Sequence, residues 1–463
     1  DLLNETDPAM VDLYEATQEI GRRPARMKHR DAVVESLQQG QRILESRDEY
    51  AAALELLGYE KDLTPAPSPE FFGRMASLFE RRADQLDRSA VDAIPAEKLR
   101  RQQQARETRI RAGNAFLAYS QQLVLIDDVG YGRAMWKGIE LFDRAGDLQG
   151  VISALELFVA ERPDDPLTPE ALLRLGRAFQ AAGMFDKAIA AFQRNQFRYP
   201  NTLAASKSGV PLAQAYVAKG PEHFAKAEKV LLGVVDNNPL LTPDAEEFKQ
   251  AVFELAQLYY RTERFEESIA RLEEFTDRYP RDERFGQLLF LMGDSYRKSA
   301  GLIDAQLASA SATASASETS VIDPAEASKA RADRLRRARE LYDKSIAYYR
   351  NVDPANPTDQ LYFRLAHFYR ADCMYDLGEY EQAIALYDTA AFKYQDDPSA
   401  LAAYVQIVNA YCALGRTEEA KTANERAKWL LRRIPPEAFN DGTFTMPKQY
   451  WEQWLQWSSK IGM

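Results

Sequence analysis

The stretch GRAFQAAGMFDKAIAAFQRNQFRYP, residues 176–200, decides the fold. It carries one helical hydrophobic period, a break at Gly183, a second helical period and a closing proline at Pro200. Each predicted helix has roughly a dozen residues, and isolated helices shorter than about 12–15 residues are marginal in water. The stretch therefore predicts two short amphipathic helices that depend on neighbouring helices for their stability.

The same pattern recurs along the chain. Closing prolines stand at positions 163, 200, 239 and 280, so the spacing lies in the high thirties to low forties. A constant period of this size is typical of a helical solenoid, in which each hairpin covers the bare apolar face of the next. Small residues such as Gly176 and Ala188 let helix axes approach, while Phe179 and Phe192 fill the remaining space.

The quoted stretch has Gly at the eighth position of a repeat, Phe at the eleventh, Ala at the twentieth and Pro at the thirty-second. This arrangement, continued from about residue 130 to residue 430, resembles the tetratricopeptide repeat family. The resemblance implies an all-α, right-handed superhelical solenoid of antiparallel helix hairpins. The phrases FQRNQFRYPNT and LEEFTDRYPRDERFGQLLFLMGDSYRKSA are most similar to a bacterial envelope subgroup. That subgroup includes outer-membrane assembly lipoproteins and the periplasmic coordinator of the Tol-Pal system.

Three regions follow from the pattern. Residues 1–125 are predicted to form an irregular helical region, residues 126–432 a solenoid of about seven hairpins, and residues 433–463 a capping segment. An Ala/Ser-rich insertion at 301–332 separates the two helices of one hairpin. Because Ala, Ser and Thr bury too little apolar surface to offset the entropy of ordering, we expect residues 307–321 to be a mobile loop.

Composition narrows the functional class. The 463 residues carry a formal net charge of −11, which disfavours nucleic acid as a partner. No apolar run approaches the ~20 residues that a membrane span requires. The chain begins with Asp1 rather than Met, which suggests a processed product whose signal or membrane anchor was removed. Membrane association through such an anchor stays open.

The sequence contains no recognisable chemistry for catalysis. Its three histidines, His29, His223 and His367, lie far apart, and its two cysteines, Cys373 and Cys412, form neither a disulfide scaffold nor a zinc motif. No nucleophile–base pair, phosphate loop or dinucleotide fingerprint is present. We therefore predict no catalytic, cofactor or metal site; an enzyme with a site in the N-terminal region is kept as a different class of hypothesis.

The resemblance implies a partner-binding groove on the concave side of the solenoid, formed by four positions of each first helix. Carried onto this chain, these positions are Trp136, Glu140, Leu173, Arg177, Gln180, Gln214, Phe253, Gln257, Tyr260, Phe290, Asp294, Arg297, Phe368, Asp372, Tyr375, Val405 and Asn409.

The C-terminal segment MPKQYWEQWLQW is rich in aromatic residues. Tyr450, Trp454 and Trp457 fall on one helical face, with Trp451 beside them. One interpretation is a helix that caps the last hairpin, as terminal repeats require. The other is an anchor for a partner, since Trp and Tyr are enriched at interface hot spots. We prefer the capping interpretation.

The function predicted from these features is that of a non-catalytic scaffold. It would hold a peptide or helix of a partner protein in the groove, within a multiprotein assembly of a bacterial cell envelope or periplasm. The alternative is a cytoplasmic adaptor or co-chaperone built on the same repeats.

Overall fold

The computed structural model describes residues 30–313, 323–354, 356–440 and 446–461. Within these ranges every regular element is helical and no residue belongs to a strand. The prediction of an all-α fold of helix hairpins is therefore confirmed. None of the helices in the described ranges is both long enough and apolar enough to cross a membrane.

The helices are divided between two compact units, residues 1–234 with 238–241 and residues 235–237 with 242–463. The helices of the first unit are α1 (Arg30–Ser46), α2 (Tyr50–Leu63), α3 (Pro69–Ala90), α4 (Pro95–Leu123), α5 (Asp128–Ala145), α6 (Leu148–Glu161), α7 (Thr168–Ala181), α8 (Phe185–Arg198), α9 (Leu203–Lys207), α10 (Gly209–Lys219) and α11 (Phe224–Asn237), the last of which ends in residues assigned to the second unit.

The second unit contains the remaining helices. Its helices are α12 (Glu246–Arg261), α13 (Phe265–Arg278), α14 (Phe285–Thr313), α15 (Pro324–Asn351), α16 (Pro357–Asp376), α17 (Tyr380–Lys393), α18 (Ser399–Ala413), α19 (Thr417–Arg433) and α20 (Lys448–Ile461).

The stretch at residues 176–200 folds as predicted, into the hairpin of α7 and α8. Gly183 adopts a φ of 71°, and the amide of Met184 donates to the carbonyl of Phe179 at 2.8 Å. This left-handed turn ends α7 and explains why glycine occupies the break. A methyl group on Gly176 would lie 2.3 Å from the ring of Phe192, so the two helices touch where the small residue is.

The predicted boundary near residue 125 falls inside the first unit. Helix α4 packs against both α3 and α5. At the α4–α5 crossing, a methyl group on Gly138 would approach the carbonyl oxygen of Gly113 to 3.1 Å. Small residues thus continue the hairpin packing across the boundary, which leaves no break at that point.

The loop predicted for residues 307–321 is wrong for residues 307–313, which form the end of α14. Residues 314–322 lie outside the described ranges. Helix α14 packs along α15, and Asp304 pairs with Arg331 at 2.5 Å. The physical reason is that extending an existing helix adds one hydrogen bond per residue. Alanine also has the smallest free-energy cost of any residue in a helix. In the described residues, the insertion at 301–332 lengthens the two helices of one hairpin.

The C-terminal helix α20 packs against α19. Its Trp451 and Leu455 are buried in one cluster with Leu431, Ile434 and Phe439. The side chains therefore cover the apolar face that the last hairpin would otherwise leave bare, in keeping with the interpretation of α20 as a cap.

Candidate functional site

A stripe of apolar and aromatic residues on α16 forms one wall of a cavity in the second unit. The helix begins after Asn356, whose side-chain oxygen accepts the amide of Asp359 at 2.9 Å. Its first residue, Pro357, needs no donor at this position. One helical period after another then places a row of side chains on a single face. The row consists of Leu361, Leu365, Phe368, Tyr369 and Asp372.

The remaining walls come from the two helices that follow α16 in the chain and from the C-terminal segment. Helix α17 contributes Tyr387, and α18 contributes a small-residue face that keeps the space open. The residues before and on α20 close the opposite side. The cavity has a volume of about 670 Å³, which is in the size range of ligand-binding pockets. Its further lining residues are Ser399, Ala402, Ala403, Val405, Gln406, Met446, Tyr450, Trp451 and Trp454.

A cluster of polar side chains adjoins the cavity. The buried carboxylate of Asp294 accepts hydrogen bonds from the hydroxyl groups of Tyr260 and Tyr342, the latter at 3.1 Å. Arg297 donates to the same carboxylate, from Nη2 at 2.6 Å and from Nε at 3.0 Å. The charge of Arg297 is therefore balanced by Asp294.

Tyr369 connects the polar cluster to the cavity. The guanidinium carbon of Arg297 lies 4.2 Å from the centre of the Tyr369 ring, which itself lines the cavity. Tyr342 of the polar cluster also contacts Phe290, and Phe290 stacks on Tyr362 with 4.4 Å between ring centres. Burial raises the pKa of Tyr369, so its hydroxyl stays protonated at neutral pH.

Asp372 is the charged residue of the cavity lining. Its Oδ1 accepts a hydrogen bond from the hydroxyl of Tyr387 at 2.5 Å. Burial raises the pKa of Asp372 to about 6, against the opposing effects of Tyr387 and Arg297. Asp376 and Asp294 raise it further, since like charges disfavour ionisation. The carboxyl group is therefore mostly ionised at neutral pH and becomes protonated as the pH falls through about 6.

The structure brings together seven of the eleven predicted groove residues of the second unit, which lie on α12, α14, α16 and α18. Asp294 accepts hydrogen bonds from Tyr260 and Arg297. Phe290 stacks on Tyr369, which lines the cavity. Phe368, Asp372 and Val405 line the same cavity. The other four of this unit lie apart: Phe253 is buried against Phe275, Gln257 is half-buried, Tyr375 packs on Tyr380, and the exposed Asn409 donates to Gln406.

The predicted groove residues of the first unit take part mainly in packing between helices. Leu173 is buried, and Trp136 makes an edge contact with Phe158. Gln180 donates to the carbonyl of Pro211 at 2.8 Å. Two further residues, Glu140 and Gln214, are half-buried, and Arg177 is exposed.

Sequence reasoning missed several residues of the cavity. Leu361, Leu365 and Tyr369 could have been found, because they share the helical face of Phe368 and Asp372. Tyr387 could not be predicted as a lining residue, because it lies on the second helix of its hairpin and the resemblance implies binding positions on first helices only. Met446 could not be predicted either, because only the fold brings it to the cavity.

The C-terminal aromatic residues lie on the same cavity. Trp451 is buried, Trp454 is half-buried and Tyr450 is 42% exposed. The side chain of Trp457 lies outside the described part of the chain. The cap and the cavity wall are thus made by the same face of α20, so a role as partner anchor stays a prediction for these residues.

Two groups on α16 with potential for chemistry are held in neutral forms. Burial lowers the pKa of His367 to about 3, with Lys393 and Arg370 adding to the effect. Burial also raises the pKa of the Cys373 thiol, so the thiolate is disfavoured. Among the described residues, no three His, Cys, Asp or Glu side chains are grouped as metal ligands.

Both units are built from short helix hairpins with small residues at the crossings, which defines a helical-repeat protein. A family model described as the tetratricopeptide repeat matches residues 170–202 and 250–282, and a second model of the same description matches residues 328–398. Segments that match tetratricopeptide repeats therefore occur in each unit, and such repeats are typical of protein–protein interaction scaffolds.

Solved structures similar to this chain also contain such repeats. A tetratricopeptide repeat protein from Parabacteroides merdae is 13% identical, with 71% of this chain and 98% of that chain covered and a TM-score of 0.37. A putative kinesin light chain from Podospora anserina is 15% identical, with 58% and 96% covered and a TM-score of 0.30. A STAND ATPase with a tetratricopeptide repeat sensor from Pyrococcus horikoshii is 14% identical, with 88% and 57% covered and a TM-score of 0.41. No curated protein sequence matches this chain.

Proposed function

We propose that this protein is a non-catalytic scaffold that binds a segment of a partner protein in the cavity between α16, α18 and α20. The partner would be a member of a multiprotein assembly in a bacterial cell envelope. The observation that carries the proposal is the cavity itself. It is open, about 670 Å³ in volume, and lined by aromatic and aliphatic side chains with few polar groups.

The composition of the lining supports a protein segment as the occupant. Trp and Tyr residues dominate the energetics of protein interfaces because they bury large areas at a small cost in side-chain entropy. Three of them, Tyr450, Trp451 and Trp454, stand on α20 opposite the α16 stripe. A peptide or helix lying between these two walls would contact both. The envelope location is proposed from the phrases quoted above that resemble envelope proteins.

A substitution that fills the cavity tests the proposal without removing a contact. Ala402 is half-buried and lines the cavity, so Ala402→Phe places a ring inside it. Ala385→Phe is the matched control, because Ala385 is exposed on α17 and lines a different, more polar depression between α17, α18 and α19. Partners are captured from cells of the source organism with the full-length chain, identified by mass spectrometry and re-tested as purified components.

We expect at least one direct partner to be retained by wild type and by Ala385→Phe, and to be lost with Ala402→Phe. If Ala402→Phe retains every direct partner, the cavity is not the binding site. Fractionation of the same cells tests the location. Recovery of the complex in the cytoplasm would replace the envelope assignment by the alternative of a cytoplasmic adaptor.

A further inference from the structure

The cavity combines six aromatic rings with one carboxylate. We propose that its occupant is a protein segment that inserts a lysine or arginine side chain, flanked by apolar residues, between these rings and Asp372. This inference rests on the proposed function and adds the chemistry of the partner.

The aromatic rings surround the cavity from three helices. The face of an aromatic ring attracts a cation through its quadrupole, and several rings around one space form the kind of cage that binds ammonium groups. Such an interaction contributes most where water is excluded. The rings belong to Phe368 and Tyr369 on α16, Tyr387 on α17, and Tyr450, Trp451 and Trp454 on α20.

The charge of the lining is unmatched. No basic side chain is present among the described residues that line the cavity, and Ser399 and Gln406 are neutral. The nearby Arg297 is held by two hydrogen bonds to Asp294. Asp372 is thus left with a negative charge that no neighbouring side chain pairs directly.

One oxygen of Asp372 is free to receive a donor. Within the described ranges, the only donor to this carboxylate is the Tyr387 hydroxyl, which bonds to Oδ1. Asp372 is half-buried and lines the cavity, and Oδ2 has no donor among the described residues. A wholly apolar ligand would strip water from this oxygen without replacing the lost hydrogen bonds, which is costly for a charged group. A cationic ligand would replace them with a charge-assisted bond.

The apolar lining of the cavity agrees with a basic side chain that has apolar neighbours. Apart from Asp372, Ser399 and Gln406, its lining is aliphatic or aromatic, including Leu361, Leu365 and Val405. The alkyl stem of lysine or arginine packs well on such surfaces while its head remains with the charged partner. A basic residue next to leucine-like residues would therefore match both parts of the lining.

Binding of two short peptides to the full-length protein tests the inference. Both are acetylated and amidated; one has lysine between two leucines, and the other has norleucine, which keeps the alkyl stem and lacks the ammonium group. Affinities are measured by calorimetry and by the fluorescence of tryptophan at pH 7.5. We expect the lysine peptide to bind about tenfold more tightly, which corresponds to about 1.4 kcal/mol.

The variant Asp372→Asn separates charge from shape. It keeps an oxygen for the Tyr387 hydroxyl and removes the charge. We expect it to weaken the lysine peptide about tenfold and to leave the norleucine peptide unchanged. The control is Asp388→Asn, which removes an exposed carboxylate of α17 that lies outside the cavity and should alter neither affinity.

Equal affinities of the two peptides, or no effect of Asp372→Asn, would overturn the inference, while the Ala402→Phe capture experiment would still decide the proposed function independently. Failure of both peptides to bind at millimolar concentration would also overturn it. Choline is included as a free cation. If choline binds and the lysine peptide does not, the occupant is a small molecule and the protein segment is excluded.

Discussion

Asp372 occupies a position where a carboxylate costs stability. Its neighbours include Asp294 from α14 and Asp376 from its own helix, and the favourable groups are Arg297 and the hydroxyl of Tyr387. The pKa of about 6 shows that burial and like charges outweigh these favourable contacts. A residue that is unfavourable in the free protein but faces an open cavity is typical of binding sites, where a ligand supplies the missing interaction.

The variant Asp372→Asn is therefore expected to stabilise the protein at neutral pH. Because the folded-state pKa is raised, ionisation of Asp372 lowers stability as pH rises from about 4 through about 6. The expected gain at pH 7.5 is about 1–2 kcal/mol, and it should shrink towards zero at pH 4.5. Thermal unfolding of the variant and wild type at both pH values measures the difference.

Asp388→Asn serves as the comparison for this measurement, since it removes the same charge from an exposed position. A loss of stability with Asp372→Asn that is equal at both pH values would mean that the carboxylate is well paired in the free protein.

Substitutions at Gly176 and Gly58 test a second feature at the residue scale, the close approach of helices. A methyl group on Gly176 would lie 2.3 Å from the buried ring of Phe192, whereas one on Gly58, inside α2, would meet no atom within 4 Å. We expect Gly176→Ala to destabilise the protein by about 1–3 kcal/mol through overpacking. Gly58→Ala should stabilise it by about 0.5–1 kcal/mol, because alanine is the better helix former.

Chemical denaturation of the two glycine variants gives both values on the same scale. Destabilisation by both variants to the same extent would show that the clash at Gly176 is not the cause.

At the scale of elements, α14 and α15 show how a repeat can absorb an insertion. Each extends a helix of one hairpin, and the paired Asp304 and Arg331 lie on these extensions. Ser309, which lies in the segment predicted as a loop, donates to the carbonyl of Ala305 at 2.8 Å. The hairpin therefore grows along its own axis and does not interrupt the packing of α14 and α15 on their neighbours.

Hydrogen exchange measures whether this extension is helical in solution. We expect amides of residues 302–309 to exchange more slowly than amides of an unstructured chain, since each would donate within α14. Ala308→Pro removes a donor and breaks the helix, so it should abolish the protection there. Ala308→Ser keeps the donor and should preserve most of it. Complete exchange of wild type at the shortest time would restore the loop prediction.

At the scale of the whole molecule, the two compact units share one construction and differ in what they present. The first unit uses Trp136, Leu173 and Gln180 in packing between its own helices. The second unit carries the polar cluster around Asp294 and the cavity beside it. The predicted first-helix positions therefore serve mainly in packing in the first unit, whereas three of them in the second unit, Phe368, Asp372 and Val405, line the cavity.

Most of the fold could be predicted from the sequence because its signals are local. Helical periods, the left-handed turn at Gly183 and the proline at the start of α16 all act within a few residues. The site could be predicted only in part. Phe368 and Asp372 follow from the repeat register, but the register alone cannot distinguish Phe368 from Leu173, which is also buried and does not line the cavity.

The sequence by itself determined that this chain is an all-α repeat protein, because short amphipathic helices with small residues at their crossings are stable only when stacked. Only the tertiary structure decided where a cavity remains. That space depends on α17, α18 and α20 packing around α16, of which α20 comes from a remote part of the chain, and the raised pKa of Asp372 depends on burial and charges contributed by several helices. Interactions between distant segments are not contained in any local pattern, so they appear only once the helices are packed.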